Sequence, residues 1–226
     1  MLNNKLITVV IPAYNEEDII EKTLRTLDDL AWIDEIIVVD DGSTDNTREL
    51  VKSHPVSLIC LQENKGKGNA IYQGIQASRG DILVFVDADL AESVSEIRKL
   101  VKPLVYDEIE ASIGILPICG GGVGLVRKLA ETSIYHLTGK KMKAPLSGQR
   151  AVRKDILGKI LPLQDGYGLE LGLDIAFIKQ GIHYTEIECS FRHRVTGNDF
   201  NGYRHRFKQF VEIFKSIKAI KRGNHV

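Results

Sequence analysis

Cysteine, tryptophan and any excess of one charge are scarce in this chain of 226 residues. The three cysteines, Cys60, Cys119 and Cys189, lie far apart, form no C-x-x-C pair and leave one unpaired in any scheme. That excludes a disulfide scaffold and fits packing thiols in a reducing compartment. Basic and acidic residues number 30 each, so no global field draws the molecule to nucleic acid or membrane. No apolar run approaches the ~20 residues of a membrane span. The opening Met1-Leu-Asn-Asn-Lys-Leu6 runs directly into strand-like sequence and is not expected to be a secretory leader. The expected location is the cytoplasm, with peripheral membrane contact left open.

Within those bounds the chain alternates strands and helices. Leu6 to Ile11, Glu35 to Asp40, Val56 to Leu61 and Asp81 to Val86 read as strands, because each is a short apolar run rich in β-branched residues. Helical spacing follows the first (Ile19, Ile20, Leu24, Leu27, Leu30). A turn rich in Asp, Gly and Ser follows the second, and Gly66-Lys67-Gly68 opens a helix after the third. Four strands alternating with three helices predict an α/β fold with a doubly wound, mostly parallel sheet. Beyond Asp89 the alternation loosens. A helix from about Ser93 to Val105, a strand from Ala111, a helix over Leu125 to Leu137, a loop and short strand over Pro145 to Val152, a helix towards Lys179 and a strand over Tyr184 to Phe191 are expected. No linker divides the chain, so one domain is expected: a nucleotide half over 1–90, an acceptor half over 91–200, and a C-terminal basic amphipathic helix over 201–226.

Each polar cluster of the first half falls just after a strand: Pro12 to Glu16, Asp40 to Ser43, and Asp87-Ala88-Asp89. In an open α/β sheet these loops share the carboxyl edge where ligands bind. An isolated Asp-x-Asp is commonly a solvated loop. At that edge, however, it offers hard oxygen ligands for Mg²⁺ or Mn²⁺ carrying a diphosphate. Gly66-Lys67-Gly68 is not a Walker loop, for it lacks the spaced glycine and the following hydroxyl.

Val9-Val-Ile-Pro-Ala-Tyr-Asn-Glu-Glu17, Val38-Val-Asp-Asp-Gly-Ser-Thr-Asp45 and Val86-Asp-Ala-Asp89, in that order and spacing, resemble family 2 glycosyltransferases of the GT-A fold. The resemblance implies inverting transfer of a sugar from a nucleoside diphosphate sugar, with a divalent metal on the Asp-x-Asp. Gly66-Lys-Gly68, Gly120-Gly-Gly122, Pro145 to Val152, Gly166-Tyr-Gly-Leu-Glu170-Leu-Gly172 and Arg192-His-Arg194 are similar to the glucosyl-3-phosphoglycerate synthase branch. In that branch a histidine beyond the last strand helps hold the metal, which maps onto His193. The basic and threonine positions that follow the triple glycine there are Val123 and Gly124 here.

The resemblance and the chemistry together give each residue an expected role. Asp89 and His193 would hold Mg²⁺ or Mn²⁺, which stabilises charge on the leaving diphosphate. Pro12, Ala13, Tyr14 and Glu16 would line base and ribose, Asp40 would read a pyrimidine N–H, and Asp87 and Ala88 would lie by the ribose. Lys67 would approach phosphate or base at a glycine-flanked helix start. Glu170, at a helix N-terminus that favours carboxylate charge, would orient or deprotonate the acceptor hydroxyl. Gly121, Gly122 and Arg150, with Arg127 as a further option, would meet an acceptor anion. The donor expected is most simply UDP-glucose and the acceptor a small phosphorylated or carboxylated molecule. A polyprenyl phosphate at the membrane is the alternative, and a non-catalytic nucleotide-sugar-binding module the rival of another class. A nucleotidyltransferase would carry a glycine-rich basic loop after the first strand, where this chain has Pro12-Ala-Tyr-Asn-Glu16.

Between Arg192 and Arg222 nine Lys and Arg residues face only Asp199 and Glu212. Phe207, Phe210, Val211, Phe214, Ile217 and Ile220 recur there at helical spacing. Such a helix suits packing on its own domain, a homodimer contact, or an anionic membrane.

Overall fold

Seven strands and six helices follow one another in the order the apolar runs foretell, in a computed structural model that describes residues 2–106, 108–116, 123–160 and 168–192. The strands are β1 (Ile7–Ala13), β2 (Glu35–Asp40), β3 (Ser57–Cys60), β4 (Ile82–Phe85), β5 (Ala111–Ile115), β6 (Arg150–Arg153) and β7 (Tyr184–Glu188). The helices are α1 (Ile20–Asp28), α2 (Thr47–Lys52), α3 (Lys67–Ala77), α4 (Ile97–Val105), α5 (Val123–Thr138) and α6 (Gly168–Lys179). Gly121, Gly122, His193 and the basic amphipathic stretch over 201–226 lie outside the described residues.

One sheet contains all seven strands, in the order β3-β2-β1-β4-β6-β5-β7. Neighbours pair in parallel except at β6, which runs antiparallel to both β4 and β5. Both faces are covered, as the near-continuous apolar strands require. Val9 and Ile11 pack on one side with Leu24, Leu27, Leu100 and Leu104. Val10 and Phe85 pack on the other with Ile71, Ile75, Ile134 and Phe177. The period-two alternation of β1 therefore ties α1 and α4 to one face and α3, α5 and α6 to the other. Each large buried aliphatic residue contributes about 1.5–3 kcal/mol.

The strand order reverses between β1 and β4, where chain leaves the sheet in two directions and opens a crevice. Because β6 is antiparallel, its first residues stand at the same edge as the last residues of β4, with Arg150 opposite Phe85. The loop before β6 thus joins the loops after β1 and β4.

The helix expected from about Ser93 begins differently. Ala91–Glu96 is a 3-10 segment and α4 proper starts at Ile97. Ser93 and Ser95 donate their hydroxyls to the carbonyls of Leu90 and Glu92, three residues back, which favours the tighter turn. Among the described residues no helix is long and apolar enough to cross a membrane.

Candidate active site

The sheet edge is assembled from its backbone upward. After β2, Asp41 is buried, and its carboxylate accepts the N–H groups of Lys65 and Gly66, each at 2.8 Å. Gly66 has φ +93°, and Gly42 has φ +76°. An added Cβ at Gly42 would stand 2.7 Å from the carbonyl carbon of Glu63, so the two loops pack backbone to backbone. This anchorage delivers Lys67 as the first residue of α3.

Lys67 Nζ lies 2.7 Å from Asp87 Oδ1 and 2.7 Å from Glu170 Oε1. Burial opposes the ammonium form, but the charges of Asp87 and then Glu170 outweigh it and hold the amine well above its usual value. Gln149 donates from Nε2 to Asp87 Oδ2 at 2.7 Å. Gly148 closes the cluster from behind, since a Cβ there would stand 2.7 Å from Lys67 Nζ and 2.9 Å from Asp87 Oδ2. Glu170 is 6% exposed, in the first turn of α6.

Asp89 is half-buried and lines a cleft of about 400 Å³ with Ile19, Ala91, Ser93 and Arg192. Thr23 supports its loop from below. The Thr23 hydroxyl donates to the Ala88 carbonyl at 2.7 Å and accepts the Ala91 N–H at 2.9 Å. Ala91 itself sits at φ +45°, strained for a residue with a side chain. Across the cleft, Ser93 Oγ accepts the Arg192 N–H at 3.0 Å, and Glu96 accepts the Ser190 N–H at 2.7 Å. The chain leading to His193 is thereby tied to the loop that carries Asp89. Among the described residues no group of three or more His, Cys, Asp or Glu side chains is arranged to hold a metal ion. Asp89 supplies one hard carboxylate facing a polar cleft. That donor fits Mg²⁺ or Mn²⁺ when the bound diphosphate and a further ligand complete the shell.

Of the residues expected on the nucleotide, Pro12, Ala13 and Tyr14 stand at the carboxyl end of β1, with Tyr14 44% exposed. Ala88 is buried between the two acidic residues, and the Glu16 N–H is bound by Thr47 Oγ1 at 2.8 Å. Asp40 takes a different place. It is fully enclosed, accepts Arg48 at 2.6 and 2.9 Å and the Ser43 N–H at 3.2 Å, and so shapes the β2 loop from inside.

Arg150 also departs from the expected contact with an acceptor anion. It is 1% exposed, because as the first residue of β6 its side chain turns inward beneath α6. Its Nη1 lies 2.8 Å from Asp174 Oδ1, in ion contact without hydrogen-bond alignment. Its Nε donates to the Ser147 carbonyl at 2.8 Å and its Nη2 to the Glu170 carbonyl at 3.3 Å. Burial pushes the Asp174 carboxyl up to about 6, against the lowering influence of Arg150. Arg127, the other candidate for an acceptor anion, is bound to Glu131 at 2.8 Å and to the Lys143 carbonyl. Asp41, Gly148, Gln149 and Asp174 escape sequence reading because their partners lie far along the chain. Only the glycine in Ser147-Gly-Gln marks a place where another group comes close.

The match to known proteins agrees with this geometry. A family model described as glycosyl transferase family 2 matches residues 8–161. Glucosyl-3-phosphoglycerate synthase of Mycobacterium tuberculosis is 31% identical over 194 residues, which is 75% of this chain and 60% of that one. The chain therefore spans about 60% of the length of that curated relative. Dolichol-phosphate mannosyltransferase of Pyrococcus furiosus is 32% identical over 94% of this chain and 64% of that one. The crystal structure of the mycobacterial synthase with Mn²⁺, uridine diphosphate and glucosyl-3-phosphoglycerate superposes with a TM-score of 0.77 at 27% identity, covering 95% of this chain and 81% of that one. A matched family model over most of the sheet, with the Asp-x-Asp loop at its carboxyl edge, shows that the chain belongs to glycosyl transferase family 2.

Proposed function

We propose that this chain is an inverting, metal-dependent glycosyltransferase that moves a sugar from a nucleoside diphosphate sugar, most simply UDP-glucose, to a small phosphorylated or carboxylated acceptor. The observation that carries the reading is the meeting of Asp87 and Glu170 on one Lys67 ammonium. It joins the loop that carries Asp87 and Asp89 to the first turn of α6.

In this reading Pro12, Ala13 and Tyr14 bind the base and ribose. Asp89, with His193, would hold Mg²⁺ or Mn²⁺, which when bound stabilises the negative charge of the departing diphosphate. Asp87 is oriented by Lys67 and Gln149 at the ribose side. Glu170 accepts the hydrogen bond of the acceptor hydroxyl and aims its oxygen at the anomeric carbon. The new bond forms from that oxygen to the anomeric carbon, the bond from that carbon to the diphosphate breaks, and the hydroxyl proton passes to the Glu170 carboxylate. The buried setting of Glu170 strengthens its pull on that hydroxyl.

A second reading keeps the chemistry and changes the acceptor to a polyprenyl phosphate. The observation favouring it is extent: the Pyrococcus dolichol-phosphate mannosyltransferase aligns with 94% of this chain, the mycobacterial synthase with 75%. UDP release from UDP-glucose with Mn²⁺ tests both, with phosphoglycerate, glycerate or a polyprenyl phosphate in vesicles as acceptor. Release with one acceptor class and its loss in Asp89→Ala support the reading. No release from any nucleotide sugar, or unchanged release by Asp89→Ala, overturns it.

A further inference from the structure

We propose that the buried Arg150–Asp174 pair is a positioning device that sets the spacing between Glu170 and Asp87 at which one Lys67 ammonium binds both. The inference rests on the glycosyltransferase reading of the site and assigns its second layer.

Arg150 reaches three segments at once. Its Nε holds the Ser147 carbonyl, its Nη2 holds the Glu170 carbonyl, and its Nη1 meets Asp174. Asp174, one turn further along α6 than Glu170, accepts the Leu146 N–H at 3.2 Å. The start of the loop is therefore held at Leu146 by Asp174 of α6 and at Ser147 by Arg150, the residue that follows Gln149 and also holds the Glu170 carbonyl. Leu146 is held at φ +66°, a conformation a leucine keeps only where its surroundings impose it.

This loop presents Gly148 and Gln149 to Asp87, while the gripped turn presents Glu170 to Lys67. One guanidinium thus references both carboxylates to a common frame. A purely structural filler is a poor account of it. A buried ion pair adds little stability over apolar residues of the same size, whereas its hydrogen bonds here end on the loop and turn that shape the site. Arg150 touches no substrate group and acts through Glu170 and Gln149.

Two variants separate positioning from folding. Arg150→Met combined with Asp174→Leu removes both charges and keeps apolar volume, and such replacements are often neutral for stability. Arg150→Lys keeps the charge facing Asp174 but lacks the fork that reaches both carbonyls. In the full chain, with Mn²⁺ and UDP-glucose, each is expected to fold and to lower kcat by about 10²-fold, with the donor KM within about threefold of wild type. Acetic anhydride labelling of Lys67, followed by peptide mass spectrometry, should speed up in both variants, because Glu170 no longer engages the amine. Folded variants with wild-type kcat and wild-type Lys67 labelling overturn the proposal. If wild-type protein turns over no nucleotide sugar, the function reading fails by itself, and the labelling rates still decide whether the pair positions Lys67 and Glu170.

Discussion

Lys67 and Glu170 stand 103 residues apart in the chain, and Lys67 Nζ donates to Glu170 Oε1 at 2.7 Å. The same nitrogen meets Asp87 Oδ1 at 2.7 Å, so it is the shared counter-ion of one carboxylate just after β4 and another in the first turn of α6. Lys67→Ala leaves those two acids facing each other without it, and like charges so close favour protonation or separation of one. We expect kcat/KM for the nucleotide sugar to fall on the order of 10²- to 10³-fold. Lys67→Arg keeps the charge but replaces a compact point donor with a planar fork, and should restore only part of the loss. Initial rates of UDP release for the two variants check this. Equal rates for wild type and Lys67→Ala would remove Lys67 from the chemistry.

Gly148 allows this cluster to close. An added Cβ would meet Lys67 Nζ at 2.7 Å and both Asp87 oxygens at 2.9 and 3.1 Å. The lysine tip can swing away, but Asp87 is also held by Gln149, so one of the two contacts must open. Gly148→Ala is expected to reduce turnover at least about tenfold, with each 1.4 kcal/mol of lost transition-state stabilisation worth that factor. Gly158→Ala is the matched control, since its Cβ meets nothing within 4 Å. Turnover of the two alanine variants, measured beside their melting temperatures, separates a site effect from a general glycine effect.

Why some of this was legible in the sequence and some not follows from range. The strands β1, β2 and β4 announce themselves because both faces of the sheet are covered, so Val9, Val10 and Ile11 must all be apolar. Pro12, Lys67, Asp87, Asp89 and Glu170 were visible because each sits at a strand end or helix start. Asp40 and Arg150 were visible as charged residues at the same edge, but nothing local to them records that Arg48 and Asp174 enclose them. Gln149 and Thr23 carry no signature, because a single polar residue bonding to a loop more than sixty positions away follows no period. The 3-10 start before α4 depends on serine hydroxyls reaching back three residues, which apolar periodicity does not register.

Asp174 gives the protein a pH signature. Its folded carboxyl is pushed up to about 6 from its ordinary value of 3.8, so between those values the folded state binds a proton that the unfolded state has released. Stability from this group is fully present below about pH 4 and falls as pH rises towards 6, with a limiting slope of about 1.4 kcal/mol per pH unit. Glu35, Asp45, Glu96 and Asp155 are lowered, so their contribution is instead lost on acidification below the usual carboxylate range. Asp174→Asn has no such proton to release, so its stability should be flatter across pH 4.5 to 6. Urea midpoints at three pH values in that window check the slope, and a wild-type slope in Asp174→Asn contradicts the assignment.

The last prediction concerns Thr23, which is fully buried and binds both the Ala88 carbonyl and the Ala91 N–H. These bonds bracket Asp89 on either side, and Ala91 keeps its φ of +45° because the Thr23 hydroxyl accepts its N–H. Thr23→Val preserves shape and removes both bonds, leaving two backbone groups unsatisfied at a cost of about 1–3 kcal/mol each. With that hydroxyl gone, Ala91 relaxes towards negative φ and Asp89 turns from the cleft. We expect weaker Mn²⁺ binding in the presence of UDP and a matching fall in turnover. Thr23→Ser, which keeps the hydroxyl and loses one buried methyl worth about 1 kcal/mol, should restore both. Titration of Mn²⁺ by electron paramagnetic resonance, set beside urea unfolding of the same variants, distinguishes the outcomes. If Thr23→Val unfolds earlier but binds Mn²⁺ and turns over as wild type does, the hydroxyl serves the fold alone and the geometry of Asp89 is set elsewhere.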